Sequence, residues 1–227
     1  MEGVWLVSER QDISSYFADQ TTNFKITDVC REFSTVRKVR GDGNCFYRAF
    51  SFAYLESAIL DSRGLHGFIE MIKESSIALS CAGFDERSYK KHLSKVIAVL
   101  EQCQSDGSVG TLYRLFNQPC TSDSVVQYLR LITSAYLQSH ADFFSNFVET
   151  SNFQAYCHQE VEVMAMECDH VDIQALSQAL NVAIHIVSME GDEQKLVDHI
   201  IPEGAEPSVH LLYQTSHYNI IYPRTQA

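Results

Sequence analysis

Gly41-Asp42-Gly43-Asn44-Cys45-Phe46-Tyr47-Arg48-Ala49-Phe50 is a turn-forming tetrad that runs directly into a helix-competent sequence. Phe46, Ala49, Phe50 and Ala53 share one face at helical spacing, which predicts a helix beginning at Cys45. At such a start the backbone N–H groups lack intrahelical partners and the dipole is positive, conditions that favour a thiolate. The two glycines let the backbone bend so that N–H groups converge, and Gly43 and Asn44 are the loop residues expected to build an oxyanion hole. One well-aimed donor in such a hole is worth about 3 to 4 kcal/mol. Taken alone, the same loop suits a helix cap or a phosphate site, and a lone cysteine is commonly just buried. The presence of a base decides between these readings.

Among nine histidines, His217 differs because it opens His217-Tyr218-Asn219-Ile220-Ile221-Tyr222, which alternates as a strand does. Residues two apart on a strand project to one face, so His217 and Asn219 lie side by side. The Asn219 amide oxygen can accept from one ring nitrogen and hold the other toward a thiol, the Cys-His-Asn logic of papain-like enzymes. A surface hairpin histidine beside a turn asparagine is the plain alternative. His170 and His185 read as core or surface. No H-E-x-x-H, G-x-x-x-x-G-K-[ST] or G-x-S-x-G motif competes.

Working outward, the middle of the chain reads as helices. Leu65, Phe68, Ile69, Ile72 and Leu79 fall at helical spacing, as do Tyr89, Leu93, Val96, Ile97, Leu100 and Cys103 behind a start at Asp85. Val109, Leu112, Tyr113 and Phe116 continue the pattern. A longer helix carries Val125, Leu129, Ile132 and Tyr136 behind the capping candidates Ser122 and Asp123, and Phe143, Phe144 and Phe147 follow as further core. A short helix over Ile173 to Leu180, with Asp169 or Asp172 near its start, feeds a β-branched strand at Val182 to Val187. Val209 to Tyr213 and Tyr218 to Tyr222, separated by Gln214 to His217, predict a hairpin. The sum is one α+β domain over residues 1–227: a small central sheet flanked by helices, with a helical lobe inserted at about 60–165.

Composition bounds the partners. Hydrophobic residues make up 45% and charged residues 20%, enough apolar material for a core without staples. A formal charge of −12 argues against nucleic acid and toward basic protein surfaces, though acidity also serves plain solubility. No apolar run outlasts Val96 to Leu100, so no membrane span is expected. None of the seven cysteines forms a C-x-x-C pair, so neither a zinc cluster nor a disulfide framework is expected, and no cofactor or metal is required. A reducing compartment follows, the cytoplasm first and the nucleus as an alternative.

The stretch Gly41 to Ala49, together with Ser216-His217-Tyr218-Asn219-Ile220-Ile221-Tyr222, resembles the ovarian-tumour family of deubiquitinases, and within it the otubains. The likeness extends to Tyr54-Leu55-Glu56, Ser105 to Ser108, Asp123 to Ser134, Glu167 to His170 and Ala175 to Leu180, nearly the whole chain. It implies the papain-like fold of that family and a thiol isopeptidase that removes ubiquitin from lysine. By resemblance Cys45 is the nucleophile, His217 the base and Asp42 the acidic residue grouped with them, with Asn219 in the orienting position. Three residues before the cysteine, Asp42 is better placed to build the turn than to orient the ring.

Length and Asn219 resemble the second, shorter vertebrate otubain type. The long N-terminal arm of the first type is expected to be missing, so ubiquitin-conjugating enzymes are expected to bind weakly, to a monomer. Glu167, Asp169, His170 and Asp172, with Tyr218, are the candidates for contacting ubiquitin, whose tail is basic before its two glycines. The alternative, that Glu167 to Asp172 merely cap the following helix, stays open. Two other functions remain beside the enzyme: an adaptor that binds ubiquitin or a conjugating enzyme without turnover, and a cysteine hydrolase of small amides.

Overall fold

The computed structural model describes residues 5–60, 62–191 and 195–224. Its elements in order are β1 (Gln11–Asp12), α1 (Ile13–Tyr16), α2 (Phe24–Glu32), β2 (Phe33–Arg37), α3 (Cys45–Leu60), α4 (Ser62–Cys81), α5 (Glu86–Asp106) and α6 (Val109–Phe116). There follow α7 (Pro119–Ser139), α8 (Ala141–Phe144), α9 (Phe153–Tyr156), a π-helical turn (Cys157–Val161), α10 (His170–Leu180), β3 (Ile184–Ser188), β4 (Val197–Ile201), β5 (Val209–Gln214) and β6 (His217–Pro223). The strands form one sheet in the order β1-β2-β6-β5-β3-β4, antiparallel except for the β3–β5 pair.

Strand alternation explains how the sheet is covered on both faces. Ile186, Leu211 and Ile220 pack toward α3 and the helices beyond it, in a core with Phe46, Phe50, Phe52, Phe116 and Tyr128. Their neighbours Val187, Leu212 and Ile221 face the other way, onto Ile13 of α1, Phe17 just after it, and Ile26 and Val29 of α2. Helix α3 is therefore buried nearly all round, touching β5, β6, α4, α6 and α7. That position sets Cys45, its first residue, between the sheet and the helical lobe.

The expected lobe is present as α4 to α9. Asp85 caps α5 by accepting from Arg87 N, as its sequence predicts, and Ser108 caps α6 through Gly110 N. Ser122 and Asp123 do not cap α7. That helix begins earlier, at Pro119, whose fixed φ suits the first turn, and both side chains are drawn instead to a buried arginine. Phe144 is buried, but Phe143 and Phe147 are 49% and 60% exposed, because the short α8 offers the core only one face. The N-terminal strands β1 and β2, and the edge strand β4, were not expected at all.

The predicted hairpin is tighter than its apolar stretches suggest. Gln214 pairs with His217, leaving a two-residue turn, Thr215 and Ser216, at φ 54° and 56°. Positive φ at both central residues matches the right-handed twist of the strands but costs an L residue about 1 to 2 kcal/mol. This turn fixes which residue starts β6, and that residue is His217.

Candidate active site

The loop before α3 is built by side chains on either side of it. Asp42 Oδ1 accepts from Asn44 N at 3.0 Å, an Asx turn, and Arg48 grips both Asp42 oxygens through one nitrogen at 2.8 and 2.9 Å. Arg48 is fully buried and also donates to Ser122 Oγ and Asp123 Oδ1, tying the loop to the start of α7. The Asn44 carbonyl accepts from Arg48 N at 3.0 Å and opens the helix. Asp42 is thus a builder of the turn, the role its place in sequence favours. The Asn44 N–H, expected as an oxyanion donor, is already spent on Asp42.

Gly43 has φ 76°, and a Cβ there would fall 2.1 Å from the Ala165 carbonyl oxygen. Only glycine lets the segment before α10 approach so closely. A second buried cation, Arg130 of α7, fastens this contact. One of its nitrogens donates to Gly43 O, Asn44 Oδ1 and Met166 O at 3.0, 3.0 and 2.7 Å, and another to Val161 O at 3.1 Å. Its guanidinium lies 4.5 Å from the centre of the Tyr47 ring.

Cys45 and His217 line one cleft of about 330 Å³ with Gly41, Gly43, Phe46, Glu167, Cys168, Tyr213, Thr215, Ser216 and Tyr218. Burial pushes the Cys45 thiol up, opposed by the N–H groups of Tyr218 and Phe46 that address the sulfur, while the Asp42 carboxylate adds to the rise. Burial thus works against the thiolate that a helix start favours, and a base beside the thiol would offset it. Among the described residues no hydrogen bond joins the thiol to the His217 ring. The ring's Nδ1 and Cε1 lie 3.6 and 3.7 Å from where a Cβ on Gly41 would stand.

The other ring nitrogen, Nε2, is 3.2 Å from Asn219 Oδ1. Its tautomer follows from the neighbours. Val39 N, which can only donate, bonds the same Oδ1 at 2.9 Å, and the Asn219 amide nitrogen donates to Tyr16 Oη at 3.2 Å. Oδ1 is therefore the acceptor, Nε2 carries the hydrogen, and Nδ1 is the free base. Asn219 also ties β6 to residue 39, just ahead of the nucleophile loop.

Asn219→Ala should accordingly lower kcat/KM by about 10- to 100-fold, and cost about 1 to 3 kcal/mol because the buried Val39 N–H loses its partner. The loss should stay smaller than for His217→Ala. Asn219→Asp keeps every acceptor and adds a charge favouring the imidazolium, so it should retain substantial activity, with the limb of the pH profile that reports the ring displaced to higher pH. Turnover across pH, with thermal melts, measures both. Wild-type behaviour of Asn219→Ala beside an inactive, folded Asp42→Ala would make Asp42 the orienting residue.

Of the five residues expected to meet ubiquitin, Glu167, Asp169 and His170 are exposed and Tyr218 is half-buried in the cleft wall, edge-on to Phe46 at 5.4 Å. Asp172 is different. It is 2% exposed and forms a capping box with Asp169, accepting Asp169 N at 3.0 Å and Tyr156 Oη at 3.1 Å. Burial pushes its carboxyl up to about 6. Asp172 is a structural cap, with no surface to offer a partner. Sequence reasoning missed Arg48, Arg130, Val39 and Tyr16, which build the site from four separate elements or loops.

A buried thiol at a helix start, sharing a cleft with a histidine whose ring is set by an asparagine two residues on along the same strand, defines a thiol hydrolase of papain-like plan. A sequence model described as Peptidase C65 Otubain matches residues 4–223, and the chain belongs to that family. It is 44% identical over 222 residues to mouse ubiquitin thioesterase OTUB2, covering 96% of this chain and 95% of that protein. To human ubiquitin thioesterase OTUB1 it is 42% identical over 224 residues, covering 96% and 83%. A chain of the ceOTUB1 ubiquitin aldehyde UBC13~Ub complex superposes with a TM-score of 0.91 at 27% identity, covering 99% and 96%.

Proposed function

We propose that Cys45 is the nucleophile and His217 the general base of a cysteine-type deubiquitinase. His217 Nδ1 takes the thiol proton as Cys45 Sγ attacks the carbonyl joining the C-terminal glycine of ubiquitin to a lysine amine. The same nitrogen then protonates the departing amine, and water releases the thioester. The observation that carries this reading is the His217–Asn219–Val39 arrangement, which leaves a free nitrogen lone pair on the cleft shared with Cys45. The exposed Glu167, which lines the cleft, and the exposed Asp169 two residues on suit the basic residues before the ubiquitin glycines. All seven cysteines are free, which supports a reducing, cytoplasmic setting.

Ubiquitin bearing a C-terminal electrophile tests the assignment. It should label Cys45 and no other thiol. Burial holds Cys103 up at about 11, Cys157 at about 12 and Cys168 well above its ordinary range. Cys45, though also raised, shares the cleft with His217 and Cys168, but of the two thiols it alone opens a helix and has the N–H groups of Tyr218 and Phe46 directed at its sulfur. An adduct mapped to Cys103 or Cys168 would overturn the assignment.

A further inference from the structure

We propose that Glu190 is a positioning residue for the catalytic base, acting through the Thr215–Ser216 turn that leads into His217; the proposal rests on the reading of His217 as that base. Neither Thr215 nor Ser216 suits the left-handed backbone it adopts, at φ 54° and 56°, and the Gln214–His217 pair closes the turn with no residue to spare. Such a turn persists where its surroundings hold it. The Glu190 carboxylate supplies that hold from outside the hairpin, its Oε1 accepting the Thr215 N–H at 2.6 Å.

Glu190 is itself anchored. Lys25 of α2, 2% exposed, donates its ammonium to three successive carbonyls, those of Met189, Glu190 and Gly191, at 3.0, 2.8 and 3.3 Å. Three donors thus meet three acceptors, and the segment after β3 is fixed to the helix beneath the sheet. Ser188 Oγ accepts the Glu190 N–H at 3.2 Å, and Met189 N donates to Tyr213 O at 2.8 Å. The backbone around Glu190 is therefore held while its carboxylate reaches the turn. The path runs from Lys25 through residues 189–191 to Thr215 and on to His217, whose strand register places Nδ1 at the cleft.

An exposed carboxylate beside the cleft could instead attract the basic ubiquitin tail, and the two roles separate cleanly. Accepting one N–H needs an oxygen but no charge, so glutamine serves; attracting a cation needs the charge. The experiment measures kcat and KM across pH with ubiquitin carrying a C-terminal fluorogenic amide. It compares wild type, Glu190→Ala, Glu190→Gln, Glu190→Ala combined with Thr215→Asn and Ser216→Gly, and His217→Ala. Glu190→Ala should lower kcat about tenfold with KM unchanged, the worth of one charge-assisted hydrogen bond. Glu190→Gln should retain most of kcat, and the Asn-Gly turn, which adopts this conformation unaided, should restore it to the alanine variant.

A rise in KM shared by Glu190→Ala and Glu190→Gln would overturn the proposal in favour of substrate attraction, as would an unchanged kcat in Glu190→Ala. If His217→Ala is inactive while Glu190→Ala is unaffected, the positioning role alone fails. Full activity in His217→Ala would remove the base reading and this proposal with it.

Discussion

Cys45→Ala should abolish hydrolysis of ubiquitin isopeptides while leaving the fold and the affinity for ubiquitin intact. Without the sulfur no thioester forms, and what remains is the cleft and its N–H donors acting on water; losses of roughly 10⁴-fold or more are the rule for removing such a nucleophile. Stability should barely change. Cys45 is 9% exposed at the first position of α3, its sulfur is a weak acceptor, and alanine is the residue a helix tolerates best. The turn ahead of it is held by Asp42, Arg48 and Arg130, none of which uses the cysteine side chain. Calorimetry with ubiquitin, run beside di-ubiquitin cleavage, separates an enzyme from an adaptor. The enzyme loses turnover and keeps binding, whereas an adaptor shows no turnover even in the wild type. Persistent cleavage by Cys45→Ala would return the nucleophile to open question.

The residues proposed to carry the chemistry were marked by the sequence, whereas those that hold them were largely not. Gly43, Cys45, His217 and Asn219 sit where local rules have force: a positive φ, a helix start and a strand alternation each leave a mark within a few positions. The helices of the lobe were legible for the same reason, through Asp85 as a start and through apolar faces at 3.6-residue spacing. Strand β2 was not, because Phe33-Ser-Thr-Val-Arg has too few residues to show alternation and gains its pairing from β6, far along the chain. Strand β4, exposed along most of its length, carries Asp198 and His199 where a buried strand would be apolar. The aromatic spacing of Phe143, Phe144 and Phe147 read as core, yet only Phe144 is covered. Ser122 and Asp123 had the right chemistry for caps, but the buried charge of Arg48 claims them. For β2, Ser122 and Asp123 a long-range partner decided the outcome, and a single sequence does not record which residues will meet.

Arg130 is the most consequential of these unrecorded partners, and Arg130→Met should both destabilise the protein and disarm the site. The side chain is fully buried, carries its charge without a carboxylate in hydrogen-bonding range among the described residues, and spends it on the carbonyls of Gly43, Met166 and Val161 and on the Asn44 amide oxygen. Methionine fills comparable space but donates nothing, so those oxygens stay buried without their donor. The cost should be about 3 kcal/mol or more, which in a chain of this size lowers the melting temperature by roughly 6 to 12 °C. Activity should fall further than the folded fraction does. Gly43 and Asn44 immediately precede Cys45, and the Asn44 side chain, which also accepts Ala165 N at 2.8 Å, is the pin between the nucleophile loop and the segment lining the cleft. With Arg130 gone that pin keeps one donor, and the thiol loses its fixed approach to the substrate carbonyl. Arg130→Lys should fall between, because an ammonium reaches one or two of the four oxygens without the planar fork. Thermal melts, followed by di-ubiquitin cleavage at a temperature where every variant is folded, separate the two effects. A melting temperature within about 2 °C of wild type, or full cleavage by folded Arg130→Met, would show that the loop holds its shape without the buried cation.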